Sequence, residues 1–131
     1  MVFIKLKQQA YKEIAMKIDL KENEELELES KFSFNVNYNE DNSMCAACLR
    51  QEITQKDNTE KFNILVESLG SFECDGIKTD EDKKAAHIQA YTLLFPYVQN
   101  MIAQLTVAAG LPPLMVEMEQ LKTDKVIVQG S

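Results

Sequence analysis

Hydrophobic and polar positions alternate along the first half of the chain, and the period changes near residue 80. Over 26–38, Leu26, Leu28, Phe32, Phe34, Val36 and Tyr38 share one face, while Glu27, Glu29, Lys31, Asn35 and Asn37 share the other. A period of two held over this whole stretch predicts a long antiparallel strand with one face in solvent. The same alternation over 10–20 sets Ile14, Met16, Ile18 and Leu20 against Glu13, Lys17 and Asp19. Residues 44–55 read as a third strand, less cleanly. Residues 61–74 read as a fourth, with Phe62, Ile64, Val66, Phe72 and Cys74 on one face. The polar clusters "NEDNS" (39–43) and "KDNTE" (56–60) are the turns between them.

From about 80 to 109 the spacing is helical. Thr79 and Asp80 are N-cap candidates, and acids fill the first turn, where the helix dipole favours them. Gly110 stops the helix, and Leu111-Pro112-Pro113 prevents its continuation. Residues 114–131 read as an extended tail in which "KVIVQ" is a short strand. Four antiparallel strands followed by one long helix make a single α+β domain over 1–131.

The helix carries two apolar stripes. One is Ile88, Tyr91, Leu94 or Phe95, Val98, Ile102 and Leu105; the other is Ala86, Ala90, Leu93, Tyr97 and Met101. A helix covering one sheet needs one stripe. The second predicts an oligomer interface, a homodimer or homotetramer, in preference to a tail folded across it. Pro96, inside the helix, removes one backbone donor and predicts a kink.

Charge then narrows the function. The net charge is −7, with 45% hydrophobic residues. An acidic chain is a poor ligand for nucleic acid or for an anionic membrane surface. The uncharged run 92–116 is long enough to span a bilayer, but Gln99, Asn100 and Gln104 interrupt it and Pro112-Pro113 close it, so membrane insertion is not expected. The N-terminus has no apolar core of signal-peptide length, and with three cysteines this points to the reducing cytoplasm.

Candidate chemistry is sparse. "CAAC" (Cys45, Cys48) invites a thiol or zinc reading. In a strand, however, residues three apart point to opposite faces, about 10 Å apart at ~3.3 Å per residue. A disulfide needs Cα atoms within about 7 Å. Cys74 and His87 complete four zinc ligands only as isolated residues, without a second paired motif. The four glycines are scattered and form no phosphate loop. No cofactor, metal or catalytic residue is expected, and the chain does not read as an enzyme.

The element order, with "LFPY" (94–97) inside the helix, resembles the SecB family. "VESLGSFECDGI" (66–77) resembles the end of that family's fourth strand at Gly70, Phe72, Gly76 and Ile77, and the distance from there to "LFPY" fits without a gap. Ile102, Pro112 and Leu114 continue the pattern to the end of the family's first helix. The resemblance covers 61–116 well and 10–57 through topology, and it stops near 120. In build the chain is most similar to short SecB-like proteins of Gram-positive bacteria.

This resemblance implies a cytoplasmic chaperone that holds non-native polypeptides in apolar grooves of a dimer of dimers. It implies neither cofactor nor catalysis. SecB also delivers clients to a translocase motor through an acidic sheet face. The apolar residues expected to line a groove are Phe32, Phe34, Tyr38, Phe72, Leu111 and Leu114; those expected at the subunit interface are Ala86, Ala90, Leu93, Tyr97 and Met101. The family continues into a second helix where this chain runs "EMEQLKTDKVIVQGS", so the groove wall is expected to differ. Two alternatives stand beside this reading. One is an adaptor of the same fold dedicated to one protein partner, of the antitoxin-system type; the other is a thiol or zinc protein using Cys45 and Cys48.

Overall fold

The computed structural model describes residues 1–21, 25–118 and the backbone of 129–130. Four long antiparallel strands, β1 (Phe3–Ile18), β2 (Leu28–Tyr38), β3 (Met44–Gln55) and β4 (Phe62–Asp75), are followed by one helix, α1 (Asp80–Ala108). A two-residue strand, β5 (Gln129–Gly130), pairs in parallel with Asn37 and Tyr38. The sheet order is β1-β4-β3-β2-β5. Of the expected tail strand at 125–129, only Gln129 lies within the described residues.

β2 to β4 follow the alternation closely. Phe32, Phe34, Val36 and Tyr38 face the same side as their β3 partners Gln51, Leu49, Ala47 and Cys45, and β4 adds Phe62, Ile64, Val66 and Phe72 to that side. The first strand begins seven positions before its expected start at residue 10, and the reason is local. Register shifts between Leu6 and Gln8 and between Tyr11 and Glu13 each insert an extra residue. The core-side set therefore runs Ile4, Leu6, Gln9, Tyr11, Ile14, Met16, Ile18, as their β4 partners show. No single period of two runs through it, and only the piece beyond the second bulge reads as a strand.

α1 starts with a full capping box. The Thr79 side chain accepts from the Asp82 amide at 3.1 Å, and the Asp82 carboxylate accepts from the Thr79 amide at 3.1 Å. Asp80, Glu81 and Asp82 in the first turn complement the dipole. At the other end Gly110 takes φ +82°, and the Leu111 amide reaches the Thr106 carbonyl at 3.0 Å while the Gly110 amide reaches that of Val107 at 3.0 Å, a Schellman closure. The helix runs as one element through Pro96, which lies on its exposed side.

One close approach fixes where the helix lands. A Cβ on Gly70 would sit 2.8 Å from the Phe72 ring and 3.1 Å from Leu94 Cδ1, so the bare backbone at 70 lets Leu94 reach the sheet. The core beneath the helix contains Leu49, Ile64, Val66, Phe72, Leu94, Val98 and Ile102, all inaccessible to solvent.

A cleft between the post-helical segment and the second strand

Three parallel i, i+4 rows explain what α1 does on each side. The central row is Ala86, Ala90, Leu94, Val98, Ile102 and Thr106, and every member is buried. Successive members of such a row advance about 40° around the axis. The contact face therefore winds around the helix, as packing on a twisted sheet requires. This regroups the expected interface stripe. Ala86 and Ala90 are enclosed in the chain's own core, while Leu93 and Tyr97 are 39% and 38% exposed and Met101 is half-buried. Straight stripes drawn from the sequence had joined residues that a winding face separates.

The row Gln89, Leu93, Tyr97 and Met101 lies towards β1. Gln89 Nε2 donates to the Val2 carbonyl at 3.3 Å, and the Tyr11 hydroxyl donates to the Tyr97 carbonyl at 2.9 Å. Ile14 and Met16 carry the core-side face of β1 beyond this point, yet they are 43% and 39% exposed. This flank is apolar and open.

The row Lys83, His87, Tyr91, Phe95 and Gln99 lies towards β2. The Tyr38 hydroxyl donates to the Lys83 carbonyl at 3.1 Å, with the Lys83 ammonium 5.5 Å from the Tyr38 ring centroid. Phe34 meets His87 edge-on at 4.9 Å and Tyr91 at 5.4 Å, and Phe32 stacks on Tyr91 at 5.6 Å. Tyr91 and Phe95 are 6.0 Å apart. Burial pushes the His87 pKa below its usual value, so the ring is neutral at pH 7. Phe32 and Phe34 remain half-buried, because the edge of β2 away from β3 is bordered only by the two residues of β5 among the described residues. Aromatic surface thus reaches the sheet edge without being sealed.

The segment after α1 continues this flank. The Leu114 amide donates to the Thr106 hydroxyl at 2.9 Å, and Gln99 Nε2 donates to the Val116 carbonyl at 2.9 Å. These bonds lay 111–116 alongside the helix end and bury Val116. Between this segment and the start of β2 is a cleft of about 290 Å³, lined by Leu28, Ser30, Ile53, Leu114, Met115 and Val116 among others. Its lining is mostly apolar, with Glu29 and Glu117 also bordering it. Such a site gains most from burying apolar side chains, at ~25 cal/mol per Å².

Of the residues expected to line a groove, Phe32, Phe34, Leu111 and Leu114 are half-buried along this flank. Phe72 is fully enclosed in the core and Tyr38 nearly so, which removes them from an open surface. Sequence reasoning passed over Leu28, Ile53, Met115 and Val116, and it placed Tyr91 in a stripe without its aromatic partners. Those pairings depend on which strand the helix row faces, and no local pattern encodes that.

The cysteines divide by face. Cys45 is buried on the helix side of β3, while Cys48 lies on the opposite side, where its thiol meets Glu67 at 3.4 Å. On that outer face Glu67 is 7% exposed and is held by Lys12 at 3.4 Å and Arg50 at 3.4 Å, with Glu13 3.8 Å from Arg50. Burial favours the protonated Glu67 carboxyl, but Cys48, Lys12 and Arg50 outweigh it and hold the pKa below the usual range. Among the described residues no cluster of three or more metal-ligating side chains is present, and no helix is long and apolar enough to cross a membrane.

Comparisons with known proteins agree with this architecture. The family profile described as "Preprotein translocase subunit SecB" matches residues 5–122. A protein-export protein SecB of Anaplasma phagocytophilum (strain HZ) is 39% identical over 66 residues, covering 40% of this chain and 42% of that protein. The protein-export protein SecB of Anaplasma marginale (strain Florida) is 35% identical over 83 residues, covering 55% of this chain and 46% of that one. The chain thus spans less than half the length of these curated relatives. Among solved structures, a Mycobacterium tuberculosis SecB-like chaperone in complex with a ChAD peptide from the HigA1 antitoxin superposes with a TM-score of 0.69. It is 17% identical, and the match covers 89% of this chain and 88% of that one, a likeness of fold. With a profile match over nearly its whole length, the chain belongs to the SecB family.

Proposed function

We propose that this protein is a chaperone that holds extended, non-native polypeptide segments in the cleft between the post-helical segment 114–117 and the start of β2, without cofactor or catalysis, in the cytoplasm. The carrying observation is the half-buried aromatic surface of Phe32 and Phe34 on β2, the strand whose first residue, Leu28, lines the apolar cleft with Ile53, Leu114 and Val116. Apolar side chains of a client would fill the cleft, and its backbone would run beside the β2 edge. A homo-oligomer, dimer or tetramer, would cover the opposite flank at Leu93, Tyr97 and Met101, since a patch of this kind is a liability in a lone subunit.

The test is suppression of aggregation of a chemically denatured client at a stoichiometric ratio. Wild-type protein is expected to suppress it, and Phe32→Ser with Leu28→Asp is expected to lose most of that capacity while remaining folded. Retained suppression in the double variant would move the client site elsewhere. An adaptor dedicated to one partner is a second reading, favoured by the antitoxin peptide bound to the M. tuberculosis neighbour. Under that reading general clients are not protected, and affinity capture from the native cytoplasm yields one stoichiometric protein in place of many nascent chains.

A further inference from the structure

The sequence motif "CAAC" pairs the wrong cysteines, and the fold supplies the right one. Cys45 and Cys48 lie on opposite faces of β3. Cys74, twenty-six residues beyond Cys48 in sequence, shares the helix-side face with Cys45 on the neighbouring strand. The direct partner of Cys45 is Phe72, so Cys74 sits on the diagonal, and its amide donates to the Ser43 carbonyl at 2.8 Å. The two sulfur atoms are 3.5 Å apart, with the Cys74 thiol directed at Cys45. All three thiols are free.

We propose that Cys45 and Cys74 are a reversible disulfide site, oxidised by exchange with a small disulfide such as oxidised glutathione. Cys74 is partly exposed and Cys45 is buried, which orders the steps. Cys74 gives up its proton to solvent and attacks the small disulfide, forming a mixed disulfide and releasing one thiol. Cys45 then loses its proton and attacks the Cys74 sulfur, closing the protein disulfide and releasing the second thiol. Two electrons leave the protein, and one small disulfide becomes two thiols.

Geometry permits closure with a small adjustment. Diagonal partners in a sheet are typically about 7–8 Å apart at Cα, and a disulfide tolerates just under about 7 Å. The pair sits at strand ends, where that shift is least opposed. Cys45 is the second residue of β3, Cys74 the last but one of β4, and Gly76 follows with φ +82°. Burial raises the pKa of both thiols, which keeps them protonated and makes oxidation slow at neutral pH and faster in alkali. Tyr38, directly opposite Cys45, is raised by the same burial and stays neutral over that range, and its hydroxyl is engaged by the Lys83 carbonyl. Closure would therefore staple β3 to β4 directly beneath the point where β2 is tied to the first turns of α1.

The test uses the 131-residue chain carrying Cys48→Ser, because in the unsubstituted sequence Cys45 and Cys48 share one tryptic peptide, 32–50. The folded variant is incubated with oxidised glutathione, trapped by alkylation in acid, digested and weighed. The expected product is peptide 32–50 joined to peptide 62–78, intramolecular by non-reducing electrophoresis and reversed by dithiothreitol. The oxidised protein is expected to melt about 5–15 °C higher than the reduced one, since the crosslink closes a long loop. Both thiols remaining free in the folded protein, a stable glutathione adduct on Cys74 alone, or crosslinking only between chains would each overturn the proposal. None of these outcomes depends on client binding, so the chaperone reading stands or falls separately.

Discussion

The two flanks of α1 use the same kinds of side chain to opposite ends. Towards β1, Leu93, Tyr97, Ile14 and Met16 are each more than a third exposed, and the hydroxyl bond that Tyr11 makes to the helix is itself exposed. Towards β2, Tyr91 is 1% exposed and packs on Phe32 and Phe34, and a second segment, 111–116, is bonded down beside the helix. One flank is finished by nothing within the described chain; the other is finished by its own aromatics and post-helical segment, with a cleft left over. Apolar content alone therefore does not tell an assembly surface from a binding surface. What separates them is whether the chain has already placed rings and a backbone segment to shape the opening.

Tyr91 is the residue on which the β2 flank depends most. Tyr91→Ala removes the ring that joins β2 to the helix and leaves a large cavity. It is expected to cost about 3–5 kcal/mol in chemical denaturation and to abolish client protection together with stability. A cost near zero would mean that β2 does not depend on the helix. Next comes assembly: Leu93→Asp with Tyr97→Asp is expected to lower the mass seen by light scattering to that of one chain, with the far-ultraviolet circular dichroism unchanged. An unaltered mass would place the interface elsewhere. A matched pair of hydroxyl deletions then weighs the flanks directly. Tyr38→Phe is expected to cost about 1–1.5 kcal/mol and Tyr11→Phe about 0.5 kcal/mol, because the first bond is part-buried and the second exposed. Equal costs would erase the distinction.

The smallest expected effect is on pH. The folded pKa of His87 lies below its unfolded value of 6.5, so the unfolded chain takes up the proton first as pH falls. The contribution of neutral His87 is complete above about pH 7 and is lost on acidification through 6.5. The melting temperature should therefore drop between about pH 7 and 5.5, and His87→Gln should flatten that slope. Lowered carboxyl pKa values at Glu67 and Asp82 act in the same direction, but nearer pH 4, so the two windows separate.

Much of the fold was legible. Alternation over 26–38, the turn clusters, the Thr79 cap and Gly110 predicted four strands and a helix within a residue or two of those observed, except at the start of β1. What failed did so for identifiable reasons. The bulges at Leu6/Gln8 and Tyr11/Glu13 each switch which parity faces the core, so a fixed period cannot follow β1. Ala86 and Ala90 were grouped with Leu93 and Tyr97 because a helical wheel is straight and the contact face winds. The cleft was only partly legible: Phe32 and Phe34 stood out by alternation, but their ring partners His87 and Tyr91 come from the helix, and the wall opposite Leu28 comes from a segment more than eighty positions later. Tyr38 and Phe72 belong to the same alternating faces; Phe72 lies two strands in from β2, while Tyr38, on β2 itself, is paired with β5 and bonded to the Lys83 carbonyl.

The order of strands in the sheet also sets the order in which the chain can fold. β2, β3 and β4 are successive hairpins, whereas β1, made first, is bonded to β4 from Phe3–Asp75 through Ile18–Phe62. Its hydrogen-bonding partner is not synthesised until residues 62–75 emerge. A meander of β2–β4 can form from local contacts, while docking of β1 must close a loop that encloses it. Of the four long strands, the first translated is thus the last to meet its partner: a protein proposed to shield other nascent chains begins with an apolar strand that must wait for its own cover.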